Sequence, residues 1–115
     1  MQKLKVAVLI SGRGSNLQAL IRASKQADYP AEIAVVISNS PEAEGLAHAA
    51  EAGIPAMICD HTYFQGDKNG FEDALGAIVE QHNAGLVCLA GFMRILSPHF
   101  LNRFKDKVIN IHPSL

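Results

Sequence analysis

Leu4-Lys5-Val6-Ala7-Val8-Leu9-Ile10-Ser11-Gly12-Arg13-Gly14-Ser15-Asn16-Leu17-Gln18-Ala19-Leu20-Ile21 is the stretch on which the fold turns. Its first seven residues are apolar apart from Lys5, the pattern of a strand buried on both faces of a parallel sheet. A glycine-rich turn follows at 11–16. Leu17, Leu20 and Ile21 then fall at i, i+3 and i+4, so the spacing predicts a helix opening at Ser15 or Asn16, both good N-cap types. Strand, tight turn and helix make the first half of a βαβ unit.

The rest of the chain repeats that alternation. Glu32–Ser38 reads as a second strand. Ser40-Pro41-Glu42 predicts a helix start of cap, proline and first-turn acid. That helix carries Leu46, Ala47 and Ala50 and ends at Gly53, a residue suited to the left-handed position after a helix. Ile54–Cys59 is a third strand that Pro55 confines to a sheet edge or to the strand's start. Asp60–Gly70 is polar and reads as a loop. Phe71–Asn83 has helical spacing at Leu75, Ile78 and Val79, Gly85–Gly91 is a fully apolar strand, Ser97-Pro98 opens a short helix with Phe100, Leu101 and Phe104, and Lys107–Ile111 is a fifth strand. The fold class is α/β, an open, mostly parallel sheet with helices on both faces and right-handed crossovers.

Composition narrows the function. A chain of 115 residues with 49% hydrophobic and 18% charged residues fits one soluble globular domain. A net charge of -1 gives no footprint for nucleic acid or an anionic membrane. The N-terminal apolar run is too short for a signal core or a membrane span, so a cytoplasmic location is expected. Cys59 and Cys88 sit in apolar runs without zinc-ligand spacing, which predicts buried, reduced thiols and no metal. His48, His61, His82 and His99 fall in no ligand pattern.

The glycine turn gathers backbone N–H groups and a helix dipole at one point, a setting for an anion. It lacks the third glycine of G-x-G-x-x-G, where Leu17 stands, and the second strand is followed by Ser38-Asn39-Ser40 with no acid to hold a ribose diol. A P-loop lysine is also absent. Dinucleotides and ATP are therefore disfavoured. A compact phosphate monoester held with help from Ser15 and Asn16 remains, beside the alternative of a bare strand-to-helix turn. Ala90-Gly91-Phe92-Met93-Arg94-Ile95-Leu96 leaves the fourth strand at its carboxyl end, beside the cleft of an open α/β sheet. Its bulky apolar residues suit a flat aromatic ligand, or else simply core beneath the next helix. At the chain's end, Asn110 can donate to a developing oxyanion and His112 can exchange a proton near neutral pH.

Together, Ser11–Gln18, Ala90–Pro98 and Asn110-Ile111-His112-Pro113-Ser114-Leu115 resemble phosphoribosylglycinamide formyltransferases, and the resemblance runs in order over the whole chain. It implies a Rossmann-like formyltransferase domain. It also implies formyl transfer from 10-formyltetrahydrofolate, as co-substrate, to the amine of glycinamide ribonucleotide in purine biosynthesis, without metal or nucleic acid. By the same resemblance Gly14, Ser15 and Asn16 would hold the ribonucleotide phosphate. Lys68, Met93, Arg94, Ile95, Leu96 and Asn110 would border the folate, and Asn110 and His112 would be catalytic. The aspartate that partners the family's histidine falls beyond Leu115. Residues 1–115 would then be one formyltransferase domain, incomplete at its C-terminus, with little or no turnover alone. Formyltetrahydrofolate deformylase and methionyl-tRNA formyltransferase are disfavoured by Pro113 after the histidine. A non-catalytic phosphometabolite-binding module would keep the glycine loop without needing Asn110 or His112. Nothing in the sequence sets an oligomeric state.

Overall fold

The computed structural model describes residues 3–111. Five strands, β1 Leu4–Ile10, β2 Ala31–Ser38, β3 Ala56–Ile58, β4 Leu86–Leu89 and β5 Val108–Asn110, form one sheet in the order β3-β2-β1-β4-β5. All four pairings are parallel. Helices α1 Ser15–Ser24, α2 Gly45–Glu51, α3 Lys68–Gln81 and α4 Pro98–Arg103 connect the strands, with one 3-10 turn at His61–Phe64.

The alternation of side chains along the central strand divides the core in two. Ala7 and Leu9 pack on one face with Val35, Ile37, Leu75, Val79, Phe100 and Phe104. Val6, Val8 and Ile10 pack on the other with Leu17, Ile21, Val36 and Ala49. Both faces of β1 are therefore covered by helices, which explains why its sequence is a continuous apolar run. Next to it, β2 carries an irregularity: Val6 pairs with Ile33 but Ala7 with Val35, so one extra residue is accommodated there.

The fold class read from the sequence is the one observed, and the differences lie at element ends. The second helix begins at Gly45, not at Ser40-Pro41. The carbonyl of Ser40 accepts from Ser38 Oγ at 2.7 Å and from the Ala43 N–H at 3.4 Å, which closes a turn in place of a first helical turn. Gly45 N–H then donates to the Gly12 carbonyl at 3.1 Å, tying the start of α2 to the glycine turn. The third helix begins at Lys68, three residues before Phe71, because the Asp67 carboxylate accepts the Gly70 N–H at 3.0 Å and caps it. Within the expected loop, Asp60 accepts the Thr62 N–H at 2.9 Å and its hydroxyl at 2.8 Å, and this supports the 3-10 turn. These two bonds hold the Asp60 carboxyl below its ordinary value. The third strand is shorter than its apolar run, since Ile54 N–H is taken by the Ala49 carbonyl at the end of α2. It lies at a sheet edge, consistent with Pro55.

Candidate functional site

Strand order reverses between β1 and β4, and the loops leaving their carboxyl ends flank the crevice where open α/β sheets bind ligands. On the β1 side, Gly14 precedes α1 with φ +79, and a Cβ there would lie 2.7 Å from Gly45 Cα. Only glycine permits both that backbone and that approach. No side chain caps α1. The Ser15, Asn16 and Leu17 N–H groups have no acceptor among the described residues. The positive end of the helix thus carries unpaired N–H groups, and at Gly12 in the same turn a Cβ would meet nothing within 4 Å.

On the β4 side, Gly91 turns the chain at φ +74. The apolar residues beyond it divide between the two roles the sequence left open. Met93 and Ile95 are 81% and 83% exposed, whereas Leu96 is buried in the core and Phe92 packs against it. The expected folate-bordering residues are therefore split, with the Leu96 side chain turned inward. A cleft of about 290 Å³ is lined by Lys68, Met93, Arg94 and Ile95. A smaller pocket of about 40 Å³ shares Lys68 and Arg94 and reaches His61, Phe64 and Phe71. Lys68 thus stands beside the loop after β4, although Asp60–Gly70 had given no sign of where it would point.

Asn110 ends β5, exposed, with its backbone in register with Leu89. Asn16 Nδ2 donates to the Ile111 carbonyl at 3.5 Å, which brings the glycine turn to the end of β5. His112 lies outside the described residues. Of the other histidines, His99 meets Asp73 at 2.6 Å on the surface and His82 bonds the Ile78 carbonyl at 2.9 Å. Among the described residues no three His, Cys, Asp or Glu side chains could share a metal ion, and no helix is long and apolar enough to cross a membrane.

Three residues with structural weight here were not singled out by sequence. Ser11 Oγ accepts the Met93 N–H, Asn39 accepts from Ser11, and buried Glu72 accepts from the Ser97 and Phe100 N–H groups and the Ser97 hydroxyl. Glu72 had a readable signal: it occupies an apolar stripe position of α3, with Leu75, Gly76 and Val79. Ser11 and Asn39 had none.

The sequence profile of the family described as "Formyl transferase" matches residues 4–115. The chain belongs to the formyl transferase family. Its relatives include the trifunctional purine biosynthetic protein adenosine-3 of Gallus gallus, 49% identical over 98% of this chain and 11% of that protein. Phosphoribosylglycinamide formyltransferase of Haemophilus influenzae is 46% identical over 96% of this chain and 52% of its own length. The crystal structure of phosphoribosylglycinamide formyltransferase from Brucella melitensis matches with a TM-score of 0.93 and 42% identity, covering 99% of this chain and 59% of that one. The chain therefore spans between about a tenth and three-fifths of the length of these relatives. The Rossmann-like parallel sheet is common to the chain and the solved formyltransferases.

Both cysteines of the chain are buried, as expected from their apolar surroundings. Burial, with the nearby Asp60 charge, raises the Cys59 thiol from 9.0 to about 11, and burial also raises Cys88. A thiol harder to ionise when folded favours the native state fully below pH 9, and that contribution is lost as pH climbs from 9 towards 11. At pH 8 a thiol reagent is expected to label the native chain slowly and both cysteines at once in denaturant. Native labelling as fast as that of a small free thiol contradicts this account.

Proposed function

We propose that this chain binds glycinamide ribonucleotide and 10-formyltetrahydrofolate and supplies most of a formyl-transfer site. One observation carries the reading. Three stretches far apart in sequence converge at the reversal point of the sheet, through the Ser11–Met93 and Asn16–Ile111 hydrogen bonds. In this reading Gly14, Ser15 and Asn16 hold the ribonucleotide phosphate on free N–H groups and the α1 dipole. Met93 and Ile95 give apolar surface to the pterin or benzoyl part of the folate. Lys68 and Arg94, at the rim of the same cleft, face its carboxylates.

The chemistry is acyl transfer. The neutral substrate amine attacks the formyl carbon, and the carbonyl oxygen gains charge in a tetrahedral intermediate. Asn110 and the imidazolium of His112 donate to that oxygen. Collapse breaks the bond from the formyl carbon to the folate nitrogen, His112 delivers a proton to that nitrogen, and the neutral imidazole so formed takes up the proton that the former amine gives off, which restores the imidazolium. An aspartate from the segment that relatives carry after this region would hold the histidine.

Two measurements test the reading. In a titration followed by amide NMR, glycinamide ribonucleotide is expected to shift the resonances of Gly14, Ser15 and Asn16. In a formyl-transfer assay the 115-residue chain is expected to turn over little, and the same chain joined to the C-terminal half of a relative to turn over readily. In the joined chain His112→Ala should abolish turnover and spare ribonucleotide binding. A joined chain that binds ribonucleotide without transferring a formyl group is a binding module, and one whose turnover survives His112→Ala does not use that histidine; either result contradicts the proposal.

A further inference from the structure

The loops after β1 and β4 are joined by one hydroxyl. Ser11 Oγ donates to Asn39 Oδ1 at 2.6 Å and accepts the Met93 N–H at 2.8 Å. From Phe92 to Leu96 that N–H makes the backbone's only hydrogen bond among the described residues. The neighbouring turn at Gly91 has open space where a side chain would stand, and Met93, Arg94 and Ile95 are exposed. Phe92 and Leu96 pack against the core at the two ends of the loop, and between them the Ser11 bond is the one hydrogen bond to the backbone among the described residues before Glu72 takes hold of Ser97.

Asn39 is the fixed end of the arrangement. It is 5% exposed, its N–H donates to the Ile10 carbonyl at 3.3 Å, and its Nδ2 meets His61 Nδ1 at 3.4 Å. With the amide held on both sides, its Oδ1 is aimed at Ser11. A hydroxyl whose proton goes to one partner and whose lone pair takes another has a defined direction, and linked bonds of this kind reinforce one another.

We propose that Ser11, oriented by Asn39, is a positioning residue that sets the 92–96 loop against the glycine turn. It thereby fixes the spacing between the folate and phosphate subsites. This rests on the formyl-transfer reading. Transfer between two bound substrates needs the reacting atoms about 3–3.5 Å apart, so the relative placement of the two loops is itself a determinant of the reaction. The Ser11 proton is committed to Asn39, which leaves the hydroxyl a role in placement and none in contact with phosphate.

The test compares the unmodified chain with Ser11→Ala, Ser11→Thr and Asn39→Leu, using three readouts: exchange of the Met93 amide, the Kd of tetrahydrofolate and the Kd of glycinamide ribonucleotide. Ser11→Ala and Asn39→Leu are expected to speed Met93 exchange and weaken tetrahydrofolate about tenfold through lost preorganisation, with ribonucleotide affinity kept within about twofold. Ser11→Thr, which retains the hydroxyl, is expected to restore both. Unchanged Met93 exchange in Ser11→Ala overturns the proposal, as does a parallel loss of both ligands, which marks a merely structural role. Tetrahydrofolate binding that Ser11→Ala leaves intact overturns the proposal alone. An unmodified chain that binds ribonucleotide but not tetrahydrofolate overturns the folate reading, and the proposal with it.

Discussion

Replacing Glu72 with alanine is expected to destabilise the chain by about 3 kcal/mol, read as a lowered midpoint of urea unfolding at unchanged slope. The side chain is 1% exposed and joins α3 to the start of α4. Its carboxylate accepts the Ser97 N–H at 2.8 Å, the Ser97 hydroxyl at 2.6 Å and the Phe100 N–H at 3.1 Å. The Phe100 N–H has a second acceptor in the Ser97 carbonyl at 3.1 Å, and so it is not orphaned by the change. The Ser97 N–H has none among the described residues. Pro98 brings no N–H of its own, so this one carboxylate serves most of the donors at the start of α4. An orphaned buried donor costs about 1–3 kcal/mol, and the emptied side-chain volume adds to it. Glu72→Gln keeps one acceptor oxygen and is expected to lose less. At the adjacent Asp73, whose side chain is 60% exposed against His99 and Arg103, alanine is expected to cost no more than about 1 kcal/mol. A Glu72→Ala effect as small as that of Asp73→Ala contradicts the capping role.

The second large effect is at Gly14. An alanine there must take a left-handed backbone, at about 1–2 kcal/mol, and place its methyl 2.7 Å from Gly45 Cα. The obstacle is backbone, which cannot rotate away, so α1 and α2 must separate at their N-termini. Overpacking of that kind adds about 1–3 kcal/mol, for a total of about 2–5 kcal/mol. The same displacement moves the Ser15 and Asn16 N–H groups, and ribonucleotide affinity is expected to fall at least tenfold. Gly12→Ala separates the two effects. A Cβ at Gly12 meets nothing within 4 Å of the chain, so stability should hold, while a phosphate seated beside it would be crowded. Gly14→Ala with native stability contradicts the packing argument. Gly12→Ala with unchanged ribonucleotide affinity argues against a ligand in that open space.

The fold was legible in the sequence because burial on both faces of a parallel strand leaves no polar alternation. Val6–Ile10 and the apolar stretch around Val87 could be little else. Element ends were less legible because competing hydrogen bonds fix them. Ser40-Pro41 carries every local signal of a helix start, yet Ser38 Oγ and the Gly12 carbonyl, one of them 33 residues before Gly45, redirect the segment into a turn. In the candidate site the same division holds. Gly14, Met93, Arg94 and Asn110 announce themselves through motifs at strand ends. Ser11 and Asn39 matter through each other, and no spacing rule relates residues that meet only when β1 and β2 pair. The inward turn of Leu96, between exposed Ile95 and the α4 cap, is likewise a packing result.

The strand order has a consequence for the order of events during synthesis. Central strand β1 finds its first neighbour in β2, but its other edge is closed by β4, where Val6 pairs with Leu86. At about 5–20 residues per second, a ribosome needs on the order of 4–16 s to deliver that partner. Throughout that interval one edge of the central strand, with its apolar run Val6–Ile10, is unpaired, and no local hairpin can shield it because every connection in the sheet is a crossover. The nascent chain is therefore most exposed to mispairing after the second strand has formed and before the fourth has emerged.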